Sequence, residues 1–214
     1  MKSVASGPVE RPGQTWLALA AFLAAGSVAA WWLPAVSLKG LDWQPGLALS
    51  QPWRAWTAVA VHWSTQHLMA NLGATLAVAA FGWAARLPAR ATLAWALAWP
   101  LTHAALLVQP ALAHYGGLSG VLHAGVAVAT LWLMATARGR VRLIGAAVFA
   151  GMLVKLVSEE PWGPPLRLGA GFDIATAPLA HVTGAAAGLL CAALCLAGMR
   201  GMTSSPASHA VPPR

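Results

Sequence analysis

The sequence predicts an all-α polytopic membrane protein with six transmembrane helices. Of its 214 residues, 58% are hydrophobic and only 8% are charged, which is far more apolar than a soluble domain. Six apolar segments, at roughly 15–33, 65–84, 91–109, 117–136, 141–157 and 177–199, are each long enough to cross a bilayer about 30 Å thick. We therefore expect a six-helix membrane domain over residues 15–200, between a short N-terminus (1–14) and a disordered tail (201–214).

The basic residues predict the orientation of these spans. Nine Lys and Arg residues fall on one face of the predicted bundle, whereas three fall on the other and Lys155 lies near a span end. By the positive-inside rule both termini are cytoplasmic, which an even number of spans satisfies. This topology also accounts for the net charge of +8. The basic residues occur singly or in small groups without interleaved aromatic residues, so we expect the lipid bilayer and no nucleic acid as a partner.

The first segment has a second interpretation, as a cleaved signal peptide. Ala35-Val36-Ser37 resembles a cleavage site, and Lys2 and Arg11 precede the apolar run. Cleavage there would leave five spans in the same orientation, so the predicted site does not depend on this choice.

Two connections on the outer face are long enough to have structure of their own. The connection from Pro34 to Ser64 holds four tryptophans, Trp43, Trp53, Trp56 and Trp63. Because Trp favours the headgroup region, we expect a structured loop at the outer membrane interface. The Pro- and Gly-rich stretch from Pro161 to Gly171 fits a cap over a site and an ordinary loop equally well.

The second segment carries His67 and Asn71 near its outer end. The i, i+4 spacing places both side chains on one helical face. Such a pair is more often an interhelical hydrogen bond. Beside a nucleophile at the same level, its N–H groups can instead help to bind an oxyanion.

The fourth segment opens with Gly116-Gly117-Leu118-Ser119-Gly120, which places a serine at a helix start. The N–H groups of the first turn lack internal partners, and the helix dipole is positive there, so a developing oxyanion is favoured. Gly117 permits a tight turn and Gly120 a close approach. The alternative is that Gly116 and Gly120 form a helix-packing motif while Ser119 bonds the backbone.

The sixth segment carries His181, followed on the same face by Gly184 and Gly188. A histidine on a face that packs closely against a neighbour suits a general base, although a histidine bonded to a carbonyl group is the simpler alternative. Polar groups are costly in hydrocarbon, so Ser119 and His181 on separate spans form a functional hypothesis. We interpret the pair as the nucleophile and base of an intramembrane serine hydrolase.

No carboxylate is expected to complete a triad, because every acidic residue falls outside the span interiors; these are Glu10, Asp42, Glu159, Glu160 and Asp173. The expectation is therefore a Ser-His dyad, although losing the orienting acid costs about 10⁴ in rate where it has been measured in soluble triads. His123 follows Ser119 by one helical turn and is a candidate to pack against His181.

Four motifs together resemble the rhomboid intramembrane serine proteases. They are Trp53-Arg54, His67-x-x-x-Asn71, Gly117-Leu118-Ser119-Gly120 and His181-x-x-Gly184-x-x-x-Gly188, in the family's order over residues 53–190. The resemblance implies a six-helix rhomboid-like core with Ser119 as nucleophile and His181 as base. It implies an oxyanion hole of His67, Asn71 and the Ser119 N–H, and substrates that are membrane-anchored proteins. No cofactor and no metal are expected.

His123 stands where many rhomboids have a tyrosine that stacks on the catalytic histidine. This residue and the short six-span build resemble the rhombosortase branch, which implies processing of proteins with a C-terminal Gly-Gly-type anchor helix. The resemblance further implies a bacterial inner-membrane protein whose active site opens to the outer face.

Two other function classes stay open. Seven histidines are present, several in or near spans, and paired imidazoles from facing helices are a known way to hold haem or a metal. A relative that binds transmembrane helices without cutting them is the other class, although the presence of both Ser119 and His181 argues against it.

Overall fold

The computed structural model describes residues 11–169, 171 and 173–203, with side chains described as far as residue 199. Residues 1–10 and 204–214 lie outside the described residues. Most of the expected cytoplasmic N-terminus and of the expected disordered tail therefore falls there.

The described chain is mostly helical. Its α-helices are α1 (Gln14–Trp31), α2 (Ala35–Leu38), α3 (Arg54–Thr57), α4 (Thr65–Ala84), α5 (Ala89–Ala104), α6 (Ser119–Thr136), α7 (Gly139–Ser158) and α8 (Pro178–Thr203). Short 3-10 turns lie at Pro45–Leu47, Ala58–Ala60 and Ala105–Val108. A small antiparallel hairpin is formed by β1 (Arg167–Leu168) and β2 (Ala175–Thr176), and the mostly helical fold agrees with the expected all-α class.

Six helices in the described part of the chain are long and apolar enough to cross a membrane. They are α1, α4, α5 with its 3-10 extension, α6, α7 and α8. The predicted number of long apolar helices is confirmed, and their predicted bounds agree to within about two residues, except that α8 runs four residues further, to Thr203. In α1, Trp16 is buried and its indole N–H donates to the Val78 carbonyl of α4 at 2.9 Å. The first segment is therefore part of the bundle.

Helix α6 is the most buried of these candidate spans among the described residues, and its most extensive contact is with α8. Glycines bring the two backbones together. A Cβ at Gly184 would overlap the carbonyl oxygen of Gly120, and a Cβ at Gly188 would overlap that of Ala124. This is the small-residue packing by which helices approach closely in membranes.

The connection from Pro34 to Ser64 is a folded element, as expected. A buried ion pair joins Arg54 to Asp42 at 2.9 Å. Trp43 differs from the interfacial role expected of it, because it is only 2% exposed and its backbone pairs with that of Tyr115. The other three tryptophans of the connection, Trp53, Trp56 and Trp63, are about half exposed, at 50%, 50% and 48%.

Candidate active site

The nucleophile candidate is the first residue of α6. The turn before it requires glycine, because Gly117 has a φ of 114° and a Cβ there would lie only 2.6 Å from the Nε2 of His67. The Gly117 N–H donates to the Ala58 carbonyl at 2.9 Å, which fixes the turn against the connection between α1 and α4. Ser119 is thereby held at the helix start, where its own N–H has no intrahelical acceptor.

The structure brings His181 to this serine. His181 lies in the first turn of α8, and the glycine contact between α6 and α8 sets the distance between the two side chains. The Nε2 atom of His181 lies 3.0 Å from the Oγ of Ser119. The imidazole is 8% exposed. Ser119 and His181, which the sequence predicts as a pair, thus lie on separate helices and within hydrogen-bond distance.

The expectation that no carboxylate reaches the site is wrong. Glu159 Oε2 lies 2.6 Å from the Nδ1 of His181. Glu159 does lie outside a span, immediately after α7 ends at Ser158, but His181 is near the start of α8, so both residues are at the same end of the bundle. The sequence held one signal for this contact, because the fifth apolar segment ends at the same end of the predicted bundle at which the sixth begins.

Glu159 is shared between His181 and Lys155. The ammonium of Lys155, one turn earlier on α7, pairs with the other carboxylate oxygen, Oε1. Partial burial raises the pKa of Glu159, but the hydrogen bonds and charges of His181 and Lys155 outweigh burial and lower the pKa to about 2. The carboxyl group is therefore ionised at neutral pH. Its neighbour Glu160 pairs elsewhere, with Arg167 at 2.6 Å.

His123 stacks on the proposed base. The rings of His123 and His181 have centroids 4.3 Å apart and an interplanar angle of 18°. The Nδ1 of His123 lies 2.7 Å from the Ser119 carbonyl oxygen, to which it donates. His123 thus contacts His181 through its ring face and Ser119 through the Ser119 backbone carbonyl.

The two predicted oxyanion-hole side chains lie in the first turns of α4. Ser64 caps this helix, with its Oγ accepting from the His67 N–H at 3.0 Å. His67 and Asn71 line one cavity with Ser119, and Asn71 is 4% exposed. Both side chains approach the Gly117 turn, two residues before the nucleophile.

His62 is a site neighbour to which sequence reasoning gave no role in the oxyanion hole. Its ring centroid lies 4.7 Å from that of His67. Burial, followed by the proximity of His67, lowers the pKa of His62 to about 4, with a hydrogen bond to Ala60 opposing the shift. His62 is therefore neutral at pH 7. Buried ring nitrogens of both histidines, His62 Nε2 and His67 Nδ1, have no hydrogen-bond partner among the described residues.

Tyr115 is the second neighbour that sequence reasoning missed. Its hydroxyl accepts from the Gly120 N–H at 3.4 Å and also hydrogen bonds to the Ser119 side chain. Burial raises the pKa of Tyr115, and those two hydrogen bonds offset only part of the rise. The sequence offered a signal for Tyr115, because it is the single tyrosine of the chain and directly precedes Gly116-Gly117.

These groups surround one cavity of about 580 Å³, a size typical of ligand sites. Its polar lining includes His67, Asn71, Ser119, His123, Lys155, Glu159 and His181, and apolar lining comes from Ala70, Ala74 and Leu122. Arg167 and Leu168 of β1 and Thr176 of β2 complete the wall. The connection after α7 therefore contributes a hairpin to the site.

Other residues of the four motifs lie away from the cavity lining. Arg54 is buried in its ion pair with Asp42, and the Trp53 indole N–H donates to the Gly40 carbonyl at 3.3 Å. Gly184 and Gly188 pack against α6. These four residues support the site through the connection between α1 and α4 and through the contact between α6 and α8.

The class that the fold and the site define is a polytopic α-helical membrane protein with a serine and a histidine paired at a cavity. Within the part of the chain that the structure describes, no three His, Cys, Asp or Glu side chains converge to hold a metal ion. No protein-family model matches the sequence, and no curated protein matches it.

Proposed function

We propose that this protein is an intramembrane serine endopeptidase of the rhomboid type. The observation that carries the proposal is the 3.0 Å contact between Ser119 Oγ and His181 Nε2. Nucleophilic catalysis by serine requires such a base within hydrogen-bond reach. The pair lies beside hydrogen-bond donors at a cavity large enough for a peptide segment.

The geometry supports acyl transfer through a covalent intermediate. Ser119 Oγ attacks the carbonyl carbon of the scissile bond while its proton passes to Nε2 of His181. The oxyanion that forms is stabilised by the Ser119 N–H and by the side chains of His67 and Asn71. His181 then gives its proton to the leaving amine, and a water molecule, activated by the same nitrogen, hydrolyses the acyl-enzyme.

The substrates we propose are membrane-anchored proteins. The cavity lies where α4, α6 and α8 begin, so it is at the end of the bundle and close to the plane at which an anchor helix leaves the bilayer. Its apolar wall of Ala70, Ala74 and Leu122 suits a segment drawn from the membrane. By the positive-inside rule this end faces away from the cytoplasm of a bacterium, with both termini cytoplasmic. His123 and the short six-span build, which resemble the rhombosortase branch, favour anchors of the Gly-Gly type.

The experiment that tests this function is covalent labelling of the detergent-purified protein with a fluorophosphonate probe. We expect labelling of the wild type and none of Ser119→Ala or His181→Ala. Ser158→Ala is the matched control, because Ser158 lines the same cavity while its hydroxyl bonds the Lys155 carbonyl. A folded wild type without labelling would contradict the proposal and favour helix binding without cleavage.

A further inference from the structure

The hydrogen bond between His181 and Glu159 is a feature that a Ser-His dyad does not use. We infer that Glu159 is a positioning residue that completes a Ser119-His181-Glu159 triad. This inference rests on the proposed function. Glu159 acts through the imidazole, which it orients and whose protonated form it stabilises, and it does not contact the scissile bond.

The geometry aligns the three groups in the order that a triad requires. Ser119 Oγ and Glu159 Oε2 contact opposite nitrogens of the same ring, Nε2 at 3.0 Å and Nδ1 at 2.6 Å. An ionised carboxylate can only accept, so the Nδ1 of His181 carries the proton and donates it. Nε2 is then left as an acceptor for the serine hydroxyl. Glu159 therefore selects the tautomer that can act as a base.

Helix packing holds the ring between these two partners. One face of the His181 imidazole is stacked on His123. The backbone of α8 is fixed by the contact of Gly184 with Gly120. With its face and its backbone held, the ring has its Nδ1 directed to the end of α7. A hydrogen bond of 2.6 Å is short for an N–H···O contact and is typical of a charged acceptor.

The charge of the carboxylate also has a catalytic consequence. Proton transfer from Ser119 makes His181 an imidazolium ion, and an adjacent anion stabilises that ion. Glu159 is 27% exposed, so water screens part of this attraction. The titratable groups around His181 are His123 on α6, His67 on α4, and Lys155 and Glu159 at the end of α7. Glu159 is the anion among them, and Lys155 opposes it.

The next residue provides a comparison inside the chain. Glu160 is also a carboxylate beyond the end of α7, but it pairs with Arg167 rather than with the imidazole. The two residues carry the same charge and are adjacent in the sequence, but Glu159 contacts His181 whereas Glu160 contacts Arg167. Their substitutions therefore separate a role in orienting the base from a general effect of negative charge.

The test compares Glu159→Gln, Glu159→Asp and Glu160→Gln in the full chain. The readout is the second-order rate of fluorophosphonate labelling across pH, with thermal unfolding as a check on folding. For Glu159→Gln we expect the labelling rate to fall by up to about 10⁴-fold. We also expect the acid limb of the pH–rate profile to move to lower pH, because the anion that stabilised the His181 imidazolium is gone. Glu159→Asp recovers part of the rate, and Glu160→Gln changes neither quantity.

A second variant keeps the inference testable if Glu159→Gln does not fold. Lys155→Met removes the cation that opposes Glu159, and the Lys155 side chain is 47% exposed. We expect the acid limb of the pH–rate profile to move to higher pH. Folded Glu159→Gln with an unchanged acid limb and a rate within about threefold of wild type overturns the triad while leaving the serine hydrolase intact. For Lys155→Met, an unchanged limb has the same meaning. Absence of wild-type labelling would instead remove the proposed function itself.

Discussion

Two stacked imidazoles stand at the centre of the site at the residue scale. His181 contacts the serine hydroxyl, and His123 contacts the serine carbonyl and the face of the His181 ring. A tyrosine at position 123 would keep the aromatic face and remove the second titratable ring. Histidine at position 123 therefore adds a proton-binding group beside the His181 ring.

We expect His123→Tyr to move the acid limb of the pH–rate profile. Two imidazoles this close titrate as a coupled pair, so removing one changes the apparent titration of the other. The measurement is the rate of fluorophosphonate labelling from acidic to neutral pH, with His62→Gln as a control for loss of a histidine outside the stack. An identical acid limb in His123→Tyr would remove His123 from the mechanism.

At the element scale, the distance between Ser119 and His181 depends on how closely α6 and α8 pack. Ser119 and His181 each lie in the first turn of their helix, and the contact of Gly120 with Gly184 is one turn or less away from both. A change in the separation of the two backbones is therefore transmitted directly to the 3.0 Å contact between the side chains.

Gly184→Ala tests this dependence. The added Cβ overlaps the Gly120 carbonyl, so we expect a destabilisation of about 1–3 kcal/mol and a labelling rate lower by about 10²-fold, as for a displacement near 1 Å. Gly198→Ala is the matched control on the same helix, because a Cβ there has nothing within 4 Å. Equal stability and rate in the two variants would show that the helix contact does not set the site.

Different parts of this site were accessible to sequence reasoning to different degrees. Spacing within one helix identified the His67 and Asn71 pair, and apolar length located all six long apolar helices. The contact of Glu159 with His181 joins residues from a helix end and a helix start. Hydropathy marks Glu159 as merely outside a span and says nothing about which side chain it meets. Contacts between elements depend on the packing of helices, which linear spacing does not encode.

At the scale of the whole molecule, α4, α6, α7 and α8 line the cavity, and the bundle exposes apolar side chains around its outer surface. Exposed examples occur on several spans, including Phe22, Leu76, Leu143, Val154 and Leu194. Such a surface is expected where a protein faces lipid rather than water. The orientation of the bundle in the membrane then decides which compartment the cavity opens to.

Cysteine accessibility checks that orientation. In a chain carrying Cys191→Ala and Cys195→Ala, we expect a membrane-impermeant maleimide to modify Ser50→Cys in intact bacterial cells, because the positive-inside rule predicts that the connection from Pro34 to Ser64 faces outward. Arg138→Cys, between α6 and α7, should react only after the membrane is permeabilised. Both positions are exposed in the fold. The reverse pattern would place the cavity on the cytoplasmic side.

Helix α7 has the lowest buried fraction of the six candidate spans, with 17% of the residues in its most apolar stretch buried. Lys155 lies in its last turn, and Glu159 follows directly. In a bilayer, a helix with so little of its surface buried in the protein would tilt or shift when bilayer thickness changes. Hydrophobic mismatch would then move the carboxylate along the membrane normal relative to the imidazole on α8. The thickness of the surrounding bilayer, or the chain length of a detergent, would thereby alter the contact of Glu159 with His181.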